Sequence, residues 1–93
     1  MQAQDKLKRS DDVVSREVGG ELVLLDLEGG QYFGLDQVGA RVWELLGDEP
    51  QTIASLADDL AGEFDAPRER IEADLLDLAT QMGAQGLVTR LEN

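Results

Sequence analysis

Twenty of the 93 residues are Asp or Glu, eight are Lys or Arg, and there is no His and no Cys. Without histidine the commonest general base and metal ligand is missing, and without cysteine there is no disulfide, thiolate site or thiol nucleophile. Bond chemistry in this chain would therefore have to run on carboxylates and hydroxyls. The carboxylates that could pair are Asp58-Asp59 and the series Glu69, Glu72, Asp74 and Asp77. Asp74 and Asp77, three apart, are neighbours on a helix. A carboxylate pair working as acid and base needs one member kept protonated by burial. These stand among Arg70, Glu72 and Gln81 on what reads as a polar helix face, and charge runs of this kind face solvent. Calcium would need six to eight oxygens, commonly from an EF-hand-like loop, and no such pattern occurs. Gly19-Gly20 and Gly29-Gly30 fit neither GxGxxG nor the P-loop. Ser55 sits in Ala54-Ser55-Leu56, without the Asp-Ser-Leu that carries pantetheine in all-helical carrier proteins. The reading assigns no catalytic residue, no metal and no cofactor.

The elements that would position a binding site are easier to see. Met1 to Asp12 is polar and aperiodic and reads as a loose tail. Val13–Val18 and Glu21–Leu27 are β-branched and aliphatic runs joined by Gly19-Gly20, a pair able to take the positive φ angles of a tight hairpin. Gly29-Gly30 then leads into Gln31-Tyr32-Phe33-Gly34-Leu35, completing a three-stranded antiparallel meander. The second strand carries Leu22-Val23-Leu24-Leu25. Adjacent residues point to opposite faces, so this strand is apolar on both, and at least part of its second face should be covered, the simplest cover being the helices.

Asp36 can cap a helix carrying Val38, Val42, Trp43, Leu45 and Leu46, which Gly47 should stop. Thr52 caps a second helix with Ile53, Leu56, Ala57, Leu60 and Phe64 on one face. A third follows Asp65-Ala66-Pro67 and presents Ile71, Leu75, Leu78, Ala79 and Met82, widened by Leu76, with Gly83 and Gly86 ending it. Leu87-Val88 returns to the core, and 89–93 reads as a C-terminal tail. The fold class is α+β: a three-stranded antiparallel β-meander followed by a three-helix bundle, winged-helix-like, over residues 13–88.

The net charge of −12 repels phosphate backbones and anionic membranes and favours cationic partners. It equally suits a plain solubilising surface. No apolar run reaches the ~20 residues of a membrane span and the N-terminus lacks a signal-peptide core, so a cytoplasmic protein is expected. The last strand of the meander, Gln31 to Leu35, lies at a sheet edge and lacks the Lys, Pro or bulge that usually blocks one. If open, it could accept an extended peptide as an extra strand or pair with a second copy. If covered, the N-terminal tail or the Leu87 segment would do it. Tyr32 and Phe33 point to opposite faces, and one of them belongs to the core.

Tyr32-Phe33-Gly34-Leu35-Asp36-Gln37-Val38-Gly39-Ala40-Arg41-Val42-Trp43-Glu44-Leu45-Leu46 resembles the signature of PqqD-like proteins: an aromatic strand, a Leu-Asn/Asp-x-x-Gly/Ala step, then an aliphatic-Trp-x-Leu-Leu helix. Thr52-Ile53, Phe64-Asp65, Asp74-Leu75-Leu76 and Gly86-Leu87-Val88 continue it in order, so the resemblance spans roughly residues 13 to 88. These domains are RiPP recognition elements, the leader-binding parts of ribosomal-peptide maturation systems. The resemblance implies a non-catalytic domain on which a precursor's leader docks as an added strand. Carried over by position, its site is Gln31, Tyr32, Phe33, Gly34 and Leu35 on the edge strand, with Arg70, Ile71, Asp74, Leu75, Asp77 and Leu78 from the third helix. A free-standing domain of this size looks most like the leader-binding subunit of a lasso-peptide system, whose partners would be the leader, a leader peptidase and, indirectly, a cyclase; the chain's excess acidity adds the expectation that the leader is basic. The same fold presents a precursor to a radical enzyme in pyrroloquinoline quinone biosynthesis. A winged-helix regulator would want a basic third helix, whereas here Arg68 and Arg70 face Glu69, Glu72, Asp74 and Asp77.

Overall fold

The computed structural model describes residues 2–91. Two small antiparallel sheets flank three helices. The first sheet is the expected meander: β2 (Val13–Val18), β3 (Glu21–Asp26) and β4 (Gln31–Leu35), in that order. Its hairpin closes on Gly19 and Gly20, both at positive φ (60° and 86°), as a two-residue turn of the type favoured by strand twist requires. The helices are α1 (Gln37–Asp48), α2 (Ile53–Phe64) and α3 (Arg68–Ala84).

The second sheet departs from the sequence reading. Residues 1–12 and 89–93 were expected as tails, but β1 (Lys6–Arg9) pairs with β6 (Val88–Leu91) from Lys6↔Leu91 to Arg9↔Val88. On its other side β1 pairs with the two-residue β5 (Gln51–Thr52). A lone Leu7 among Lys and Arg carries no periodicity, so nothing local marks the strand, yet Leu7 is 1% exposed in the core. The segment also serves α2. The carbonyls of Asp5 and Ala3 accept from the N–H groups of Ile53 (3.2 Å) and Ala54 (2.9 Å), donors that the start of a helix leaves without intrahelical partners. Thr52 Oγ1 accepts from Ser55 N–H at 3.1 Å, the expected cap.

Asp36 caps α1 through Gly39 N–H at 2.8 Å, as its position foretold. Gly47 does not end that helix. It lies inside the last turn, where an added Cβ would come within 2.7 Å of the Arg9 guanidinium. Arg9 lies 4.5 Å from the centroid of the buried Trp43 ring, and its Nε donates to the Trp43 carbonyl at 2.7 Å. Arg9 thus clamps β1 to α1, and glycine leaves room for it. Gly83 is likewise inside α3. The stop there is Gly86 (φ +77°): Leu87 N–H donates to Met82 O at 2.9 Å and Gly86 N–H to Gly83 O at 3.1 Å, the paired bonds of a Schellman motif. Between α2 and α3 the left-handed residue is Asp65 (φ 49°). Asp65→Gly is expected to raise unfolding stability by up to about 1 kcal/mol, because glycine takes that conformation without the Cβ penalty; urea titration would measure it.

The core joins both sheets to all three helices through Leu7, Leu24, Trp43, Ile53, Leu56, Leu60, Leu75 and Leu87, each 2% exposed or less. No polar or charged residue is buried with them among the described residues. On the surface, Arg41 of α1 donates to Glu63 of α2 at 2.9 Å and to Glu44 at 3.1 Å. The bond from Arg41 holds the Glu63 carboxyl below its ordinary range. A carboxyl depressed by folding stabilises at neutral pH, and that contribution fades as acid protonates it. Exposed as this pair is, it is a weak strap.

Candidate functional site

The inner face of the meander (Leu22, Leu24, Phe33, Leu35) packs on the helices. Phe33 is the aromatic turned inward, whereas Tyr32 is 72% exposed on the outer face. The helices do not wrap round to that outer face. The concavity there, 330 Å³, is lined by sheet residues alone, including Val14, Val18, Val23, Leu25 and Tyr32. The expectation that helices cover the second face of β3 is therefore corrected.

Strand β4 forms one edge of its sheet, bonded to β3 and, among the described residues, to nothing on its other side. The termini that could have covered it pair with each other in the second sheet. Which backbone groups the edge offers follows from the hairpin. A two-residue turn makes Val18 and Glu21 a hydrogen-bonded pair, and bonded pairs alternate along an antiparallel ladder. Odd-numbered residues of β3 therefore address β2, and even-numbered ones address β4. Leu27 N–H donating to Asp12 O (2.9 Å) and Gly30 N–H donating to Asp26 O (2.8 Å) keep that phase. With Leu24 opposite Phe33 and Leu22 opposite Leu35, Gln31, Phe33 and Leu35 address β3. The N–H and C=O groups of Tyr32 and Gly34 are left for the free edge.

Beside this edge runs a 340 Å³ groove, walled by Tyr32, Phe33, Gly34 and Leu35 on one side and by Leu78, Gln81, Met82, Gln85 and Leu87 on the other. Every strand residue singled out from sequence lies on β4. The helix residues divide. Leu78 is half-buried and lines the groove, whereas Ile71 and Leu75 (6% and 2% exposed) are core beneath it. Arg70, Asp74 and Asp77 are exposed. Asp74 stands one turn before Leu78 on the row that continues to Gln81 and Gln85, and Arg70 and Asp77 lie further round the helix, by its 3.6-residue period. Sequence reading missed Gln81, Met82, Gln85 and Leu87. Their signal was faint: two uncharged amides three and seven residues beyond Leu78 on an otherwise acidic helix.

The carboxylates first weighed as chemistry do not assemble. Asp58, Asp59, Glu69, Asp74 and Asp77 are exposed, while Arg68 bridges Asp58 and Glu72, the latter at 2.6 Å. Among the described residues no group of three or more Asp or Glu could hold a metal ion, and no helix is long and apolar enough to cross a membrane.

An unpaired edge strand with a helix-walled groove beside it defines a domain built to accept an extended chain. The family model described as coenzyme PQQ synthesis protein D (PqqD) matches residues 21–88, and the chain belongs to that family. Three solved structures share the fold. TbiB1 in complex with the TbiA(β) leader peptide is 36% identical, with a TM-score of 0.82 over 92% of this chain and 99% of that one. Lasso peptide synthetase B1 complexed with its leader peptide is 25% identical, with a TM-score of 0.76 over 89% and 96%. The PqqD truncation of Methylobacterium extorquens PqqCD, a functional stand-alone RiPP recognition element, is 26% identical, with a TM-score of 0.82 over 96% and 94%. No curated protein matches the chain by sequence.

Proposed function

We propose that this chain is a RiPP recognition element that binds a precursor's leader as a fourth strand beside β4 and performs no bond chemistry itself. The observation that carries the reading is the free row of Tyr32 and Gly34 donors and acceptors next to the groove under Leu78. Two proteins of the same fold, including the 36% identical TbiB1, are complexes with leader peptides. Backbone pairing sets register, alternate leader side chains enter the groove, and the domain raises the effective concentration of the precursor at its enzymes. The B1 likeness favours lasso-peptide maturation, with a leader peptidase and a cyclase as partners. The PqqD match supports a second reading, presentation of a precursor to a radical enzyme in quinone-cofactor synthesis.

Titration with fluorescein-labelled TbiA(β) leader tests the binding, with a duplex DNA fragment as the competing probe. Saturable binding of the peptide at micromolar or lower concentration, roughly 8 kcal/mol or better, and none of the DNA is the expected outcome. Binding of the duplex alone would overturn the reading. Asp74, one turn before Leu78, and Asp77, further round the helix, are our candidates to meet Lys or Arg of a basic leader, on the ground of the chain's excess acidity. The double reversal Asp74→Lys/Asp77→Lys is expected to weaken a basic leader about tenfold at low salt and to flatten the salt dependence, exposed charge pairs contributing roughly 0.2–1 kcal/mol each. Calorimetry at two salt concentrations checks it, and unchanged binding removes the charge contribution.

A further inference from the structure

A second hollow opens at the hairpin end of the meander, on the inner side of the sheet. It measures 660 Å³ against 340 Å³ for the groove beside β4, and it lies between the hairpin, the first turns of α1 and the last residue of α2. Its floor is apolar: Leu22, Leu35, Ala40 and Phe64 are half-buried there rather than sealed in the core. Its rim is acidic. Asp36 commits its carboxylate to the α1 cap, and Glu44 holds Arg41 together with Glu63. Glu17 and Glu21 are exposed at the hairpin and have no ion-pair partner among the described residues.

Leu35 lines both this cleft and the groove beside β4, so the two meet at the end of that strand. A strand added to an all-antiparallel sheet runs opposite to its neighbour, so a leader beside β4 enters at Leu35 and leaves at Gln31. The residues preceding its paired stretch emerge at the mouth of the cleft. Three strand spacings of about 4.8 Å separate such a leader from β2, a span that four or five extended residues cover at about 3.3 Å each.

We infer that the cleft seats the four or five leader residues that precede the paired stretch, selecting a segment that combines apolar side chains with Lys or Arg. The apolar side chains cover Leu22, Leu35 and Phe64, and the cations meet Glu17 and Glu21. A second copy of the chain, itself at −12, would bring like charge to this rim. The inference rests on the leader-binding reading of β4.

The test uses the full chain and the TbiA(β) leader, whose paired stretch is first mapped by amide hydrogen exchange. The five residues before that stretch are then replaced by Gly-Lys-Leu-Lys-Leu or by Gly-Glu-Leu-Glu-Leu. The lysine peptide should bind wild type at least ~5-fold more tightly at low salt, several exposed charge pairs changing sign together. Glu17→Lys/Glu21→Lys should bring that ratio below about twofold, whereas Asp12→Lys/Glu28→Lys, the same charge change at the opposite end of the meander, should preserve it. Should circular dichroism show that the hairpin variant fails to fold, Glu17→Gln/Glu21→Gln replaces it, with a fall in the ratio again expected. Equal affinity of the two peptides for wild type overturns the proposal. So does a ratio that the hairpin variant leaves intact or that both variants lose alike, and so does a wild-type dimer in sedimentation that the hairpin variant disperses. A wild-type chain that binds neither peptide nor the parent leader would instead refute the reading of β4.

Discussion

Gly34→Pro is expected to weaken leader binding by at least about 2 kcal/mol, roughly 30-fold, while the domain stays folded. The proline ring removes the Gly34 N–H and stands where the incoming strand must approach, so a leader carbonyl is buried without its donor. The fold tolerates the change because that N–H faces the free edge rather than β3, the one setting in which a strand accommodates proline. Phe33→Pro, one position earlier on the same strand, strikes the opposite side. Phe33 addresses Leu24 across the ladder, so proline there breaks the sheet. Gly34→Ala separates backbone from side chain: a Cβ at 34 meets nothing within 4 Å, and binding should survive it. Fluorescence anisotropy for affinity and circular dichroism for fold check all three. Equal binding by Gly34→Pro and wild type would remove β4 as the docking edge.

The second large effect falls on the N-terminal strand. Leu7→Ala is expected to cost about 2–5 kcal/mol, the range for emptying a buried leucine site. In a domain of this size that lowers Tm by roughly 10–20 °C, readable by calorimetry. A leucine in a loose tail would cost nothing, so the experiment separates the two descriptions of residues 1–12 cleanly. Well below the transition, leader affinity should be unchanged, because β1 belongs to the other sheet and none of its residues lines the groove. The strand has a functional consequence all the same. By pairing with β6 it commits both ends of the chain to each other, which leaves the edge of β4 open.

What could be read from residues alone was whatever depends on near neighbours. Gly19-Gly20 specified the hairpin, Asp36 and Thr52 their helix caps, and Gly86 the end of α3, since each acts on backbone groups within a few positions. The apolar periods of the helices and the double-sided apolarity of β3 were equally plain. The wrong readings came where a distant partner decides. Lys6–Arg9 is a strand only because Val88–Leu91 and Gln51–Thr52 lie alongside it. Gly47 is a space for Arg9 rather than a stop. Ile71, Leu75 and Leu78 share one apolar stripe, and only the tertiary packing of α3, chiefly on α2, made two of them core and left the third to wall the groove beside β4. The edge strand was thus written in the composition of residues 31–35, but whether it stood open was settled by the pairing of two segments some eighty residues apart in sequence, a contact that no local pattern of side chains encodes.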